Sequence, residues 1–156
     1  MKLLHIALAS TLALLIGVSV ASAQKGRGDD QGLSRTGYVA QIKQIEGTLE
    51  RIKIGPCAHT TGRAENGVHL FVRAENGTLM NWHLGPDFAV LPLLDDLEAG
   101  ATVQAKAFQT EKVAQRQYIV KTLSFGATEI ILRDGALKPM WSTRGQGRMA
   151  RYNARN

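Results

Sequence analysis

Residues 63–86 read RAENGVHLFVRAENGTLMNWHLGP, and this stretch decides the fold. The pentapeptide Arg-Ala-Glu-Asn-Gly occurs at 63–67 and again at 73–77, and each copy precedes an apolar-rich run. Asn-Gly between apolar runs is the strongest short-range signal for a β-hairpin. The loop length then sets the faces. A three-residue loop, Glu75-Asn76-Gly77, with Gly77 in the left-handed position of a bulge, sets Ala74 opposite Thr78. One face then carries Val68, Leu70, Val72, Met80, Trp82 and Leu84. The other carries His69, Phe71, Arg73, Leu79, Asn81 and His83. A loop of two or four residues would mix the two sets, because a slip of one residue moves every side chain to the opposite face. The three-residue register also predicts His69 directly opposite His83, with Arg73 and Asn81 nearby.

Outward from the hairpin, the chain reads as short strands around one helical connection. Ile45 to Ile54 predicts a first strand with a bulge or bend at Gly47, closed by Gly55-Pro56. Cys57 to Gly62 is a polar loop. After Gly85-Pro86, the apolar residues Phe88, Leu91, Leu94 and Leu97 recur at three-residue spacing and predict the buried face of a helix. Pro92 breaks that helix or turns it into an extended arm. Strands follow at Ala101–Thr110, Gln117–Phe125 and Glu129–Leu132. In the second of these, Tyr118, Val120 and Thr122 are expected to face away from Ile119, Lys121 and Leu123. Arg133-Asp134-Gly135 predicts a turn in which Asp134 caps backbone amides. Three strands, a helix and two or three more strands predict an all-β fold with one short helix: an OB-fold-like, five- to six-stranded Greek-key barrel spanning 37–141. A sandwich would need more strands and no central helix.

The ends differ from the middle. Lys2, the apolar run Leu3–Val20 and the Ala21-Ser22-Ala23 site form a signal peptide with cleavage expected after Ala23. The mature chain is then periplasmic or secreted, without a transmembrane anchor. Residues 24–36 are expected to be a disordered linker. The formal net charge of the 156-residue chain is +6, yet acidic and basic residues balance between Gly37 and Trp141. The excess lies at the ends, including Arg144, Arg148, Arg151 and Arg155 in a tail, from Ser142 onward, expected to be disordered. Contact with an acidic surface is therefore expected of the tail, and the neutral domain argues against nucleic acid. Cys57 is the single cysteine, which excludes an intrachain disulfide.

The markers Gly67-Val68-His69-Leu70, His83-Leu84-Gly85-Pro86, Leu132-Arg133-Asp134 and Pro139-Met140-Trp141, in that order, resemble a group of small exported bacterial proteins of unknown function. That resemblance covers most of 45–141. It implies an OB-like barrel and export, and carries no reaction or ligand with it. The chain departs from that group in having Phe88 alone after the Gly-Pro, where an aromatic pair is common.

Function is expected on the His69, Phe71, Arg73, Asn81 and His83 face. Two imidazoles across a strand pair have Cβ atoms about 5 Å apart, within reach of one ion. Imidazole suits Zn or Cu, and Cys57 and His59 from the nearby loop would complete a four-ligand set. The alternative is a pair of ordinary strand-surface histidines. The expected class is a non-enzymatic binding module for a metal ion, small molecule or protein partner. The other readings are an oligonucleotide- or oligosaccharide-binding barrel and a metal-dependent enzyme using His69 and His83. Asp95 and Asp96 are adjacent and point apart, which makes them a poor acid–base pair. Walker, dinucleotide and nucleophile-elbow motifs are missing from the sequence. Arg133, Trp82 and Trp141 are expected to be structural.

Overall fold

The computed structural model describes residues 38–57, 60 and 64–142, and the backbone of 151–153. The predicted signal peptide, the 24–36 linker, His59 and three of the four tail arginines lie outside the described residues. Among the described residues seven strands form one sheet: β1 (Lys43–Gly55), β2 (Gly67–Arg73), β3 (Leu79–Pro86), β4 (Thr102–Phe108), β5 (Gln117–Phe125), β6 (Thr128–Ile131) and β7 (Arg151–Asn153). The sheet order is β3-β2-β1-β4-β5-β6-β7, and a further pairing of β3 with β5 closes the first five into a ring. That closing pair is parallel, with Asn81 beside Gln117 and His83 beside Ile119, while the other ring pairs are antiparallel. The fold is therefore an all-β, barrel-like one. Closure removes the unpaired strand edges that short strands would otherwise expose.

β1 is long enough to serve two neighbours. Lys43–Thr48 pairs with β4 and Thr48–Gly55 with β2. At the handover, a Cβ on Gly47 would overlap the Arg73 carbonyl oxygen and come within 2.9 Å of Val72. Gly47 thus allows a close backbone crossing, while the bulge itself falls one turn of the pleat later, between Leu49 and Arg51.

The hairpin has the register read from its turn. Arg73 pairs with Leu79, Phe71 with Asn81 and His69 with His83. Ala74 and Thr78 are joined by a backbone hydrogen bond of 2.9 Å, and Gly77 has φ +80°. Replacing Gly77 by alanine is expected to cost about 1 kcal/mol, because an L-side chain in that region crowds the following carbonyl. Urea titration of the variant checks it; an unchanged midpoint would mean the turn rearranges freely. Val68, Leu70, Val72, Met80, Trp82 and Leu84 are all buried in the main core.

The helical connection is broken at Pro92, as expected: one short α-helix, α1 (Asp87–Val90), is followed by a 3-10 turn at Leu91–Leu93. Three expectations are corrected. Val90, Leu94 and Leu97 enter the core, whereas Phe88 is 72% exposed; the switch of helix type at Pro92 rotates the face that a single helix would have kept. In β5 the pairing shifts between Lys106 and Ala107 of β4, so that Lys121 is the extra residue. Val120 and Leu123 consequently both point into the main core, while Ile119 joins Phe108, Val113 and Leu137 in a second one. Finally, part of the tail is ordered: Arg151–Asn153 pairs with β6. Among the described residues no helix is long and apolar enough to cross a membrane.

Candidate metal centre

One end of the barrel collects four segments: the end of β1, the start of β2, the end of β3 and the chain after β6. Opposite His83 on the outer face of the hairpin, His69 meets it edge-to-face, with ring centroids 4.6 Å apart and planes at 64°. This face was expected to be the non-core side of the sheet, yet His69 is only 6% and His83 only 4% exposed. Part of the cover is Cys57, which follows β1 and lies over Gly67. A Cβ on Gly67 would overlap the Cys57 Sγ. The Trp141 ring, packed against the main core, lies on Gly85, and a Cβ there would strike it.

Cys57 Sγ is 3.5 Å from His69 Nε2. One ligand atom from each of Cys57, His69 and His83 lies within 4.8 Å of the others, and among the described residues these three form the sole such group. Zinc–nitrogen and zinc–sulfur bonds of about 2.0 and 2.3 Å bring donors to about 3.5 Å apart, so binding draws the site in by roughly 1 Å.

The neighbours of the two rings bear on their tautomers, and they select one for His83. His83 Nε2 lies 3.1 Å from Gln117 Oε1. That oxygen accepts, so the proton sits on Nε2 and Nδ1 carries a bare lone pair. His83 Nδ1 is buried and has no hydrogen-bond partner among the described residues. His69 Nδ1 is 3.2 Å from Asn81 Oδ1, and its Nε2 is 3.3 Å from the Gly55 carbonyl. Both oxygens are acceptors and the neutral ring has one proton: on Nδ1 it is donated to Asn81 and leaves Nε2 free toward the thiol, and on Nε2 it is donated to the Gly55 carbonyl. A side-chain oxygen that fixes the remote ring nitrogen is the usual outer support of a metal-bound histidine.

Burial sets the protonation states. Desolvation, helped by the nearby His69, lowers the pKa of His83 from 6.5 to about 4, so the ring is neutral at pH 7. Desolvation pushes the Cys57 thiol up to about 11, with Arg133 and Thr60 opposing it only in part. The free thiol therefore keeps its proton until a metal displaces it.

Arg133 is buried behind the site. Its guanidinium donates to the Leu84 carbonyl at 3.1 Å and to the Val120 carbonyl. Leu84 is the extra residue where the β2–β3 register shifts, and Val120 adjoins the shift in β5. Arg133 thus serves carbonyls near two breaks in the ladder, since buried backbone oxygens need donors. Trp141 covers it, 5.2 Å from ring centre to guanidinium carbon. Asp134 Oδ1 accepts from the Ala136 and Lys138 amides, both at 2.9 Å, as the turn predicted.

The other predicted site residues have different neighbours. Arg51 lies 3.9 Å above the centre of the Phe71 ring. Arg73 is ion-paired with Glu50 and donates to the Gly77 carbonyl at 2.8 Å. Asn81 stands behind His69 as its support. Gln117 had no signal in the sequence, because the parallel β3–β5 pair that delivers it joins segments far apart in the chain. Arg133 lay within a noted motif, but its reach to Leu84 follows from the same closure. Comparison with protein-family models, curated proteins and solved structures gives no match to this chain, so the reading of the site rests on its geometry.

Proposed function

We propose that this chain is an exported, non-enzymatic metal-binding protein that holds one zinc or copper ion between Cys57, His69 and His83. The observation that carries the reading is the convergence of three such donors within 4.8 Å, with a buried Nδ1 on His83 that has no partner among the described residues. A buried lone pair without a partner is costly, and ordinary strand histidines find one. The burial of both rings favours holding an ion over turning over a substrate at it, since a catalytic metal needs an open position.

The five-strand ring, with its helix between β3 and β4, supports an OB-like barrel. Such barrels bind oligonucleotides and sugars across their second and third strands. Here Arg51 over Phe71 and Cys57 over Gly67 cover that face, which favours an ion over a polymer.

Metal analysis and titration of the chain purified without a histidine tag test the proposal. One equivalent of Zn(II) or copper is expected, weakened more than about 100-fold in the His69→Ala/His83→Ala double variant. Unchanged stoichiometry and affinity in that variant would refute it. Circular dichroism of the variant separates lost ligands from a lost fold.

A further inference from the structure

We infer that the site prefers the monovalent ion Cu(I) over Zn(II), and that the buried charge of Arg133 enforces the preference. This rests on the metal reading above and adds the class of ion. The first ground is the number and kind of donors. Among the described residues the group holds three ligands, one thiol and two imidazoles. Structural zinc almost always takes four ligands, while thiolate is a soft donor suited to Cu(I), an ion content with three. Both histidines are nearly closed to solvent, which limits water as a fourth ligand.

The second ground is charge. Binding follows Cu⁺ + Cys57–SH → Cu–S–Cys57 + H⁺, with the proton leaving to solvent and no change of oxidation state. With two neutral imidazoles, the loaded site is then uncharged with Cu(I) and carries +1 with Zn(II). Arg133 is 6% exposed. The partners it shows are the Leu84 and Val120 carbonyls and the Trp141 ring. Its acceptor Leu84 directly follows the ligand His83, and its charge is felt at both Cys57 and His83. Each extra positive charge on the bound ion therefore meets a poorly screened cation.

The test compares Cu(I), delivered anaerobically from a bicinchoninate complex, with Zn(II), competed against a chelating dye, in the wild-type chain, Arg133→Gln and Arg133→Lys. Removing the cation is expected to raise the Zn(II)-to-Cu(I) affinity ratio at least about tenfold, the effect of one unit charge at about 10 Å in an effective dielectric of 20. Arg133→Lys should leave the ratio near wild type. X-ray absorption of the Cu(I)-loaded wild type should show three scatterers, one of them sulfur, which keeps the inference testable where Arg133→Gln fails to fold. A ratio unmoved by Arg133→Gln, or four-coordinate copper, overturns this inference and leaves the metal site standing. Failure of the folded wild type to bind either ion overturns both.

Discussion

Taken from pH 7.5 to pH 4, the metal-free protein is expected to lose about 3 kcal/mol of folding stability through His83 alone. The unfolded chain takes up a proton on this ring near pH 6.5, whereas the folded chain resists until about pH 4. Between those values the unfolded state binds more protons, so stability rises with pH. The contribution is fully present above 6.5, fades as the pH falls through the window and is gone below 4. Urea titrations across pH 4 to 7.5 on wild type and His83→Gln read this directly, since glutamine keeps a polar group and removes the titration. The difference between the two curves should shrink or reverse by about 3 kcal/mol toward pH 4. Parallel curves would show that the ring is protonated without opening the site.

That window depends on burial, and burial was the least legible property of the site in the sequence. The turn at Gly77 fixed the hairpin register, and the register fixed His69 opposite His83. Both follow from local rules: an Asn-Gly turn and a period of two. Strand faces beyond the hairpin were less readable. The extra residue Lys121 reverses the alternation within β5, and no local composition marks it. The covering of the histidine face depends on a contact between distant segments, Cys57 over Gly67, and the support behind it on two more, Trp141 against Gly85 and Arg133 beneath Leu84. Each of the noted motifs supplies one part of that end of the barrel. The motifs could be seen in the chain; their meeting required the parallel closure of β3 on β5. Phe71 and Arg73 share the hairpin face with the histidines, but alternation states which face a residue is on and not what lies above it. Glu50, the extra residue of the bulge in β1, takes Arg73 into an ion pair.

Replacing Gly67 by alanine is expected to weaken metal binding about 100-fold, or about 2.7 kcal/mol, through a residue that offers no ligand atom. The added Cβ would overlap the Cys57 Sγ and stand 3.0 Å from the Gly85 carbonyl oxygen. The carbonyl belongs to a paired strand and yields little. Cys57 lies beyond the end of β1, outside any strand, so the thiol is the group that moves. Gly67 is not in the left-handed region, and alanine there adds no backbone strain. The folding cost should therefore stay near 1 kcal/mol, the order of a modest overpacking. A double-mutant cycle with Cys57→Ser tells ligand displacement from general damage. If the methyl group acts by pushing the sulfur aside, Gly67→Ala has almost no further effect on metal affinity once the thiol is gone. Additive losses would mean that alanine disturbs the histidines themselves, and an unchanged affinity in the single variant would mean that the sulfur is not a ligand. The cycle thereby measures how much of the binding energy passes through the one donor that the hairpin does not hold in place.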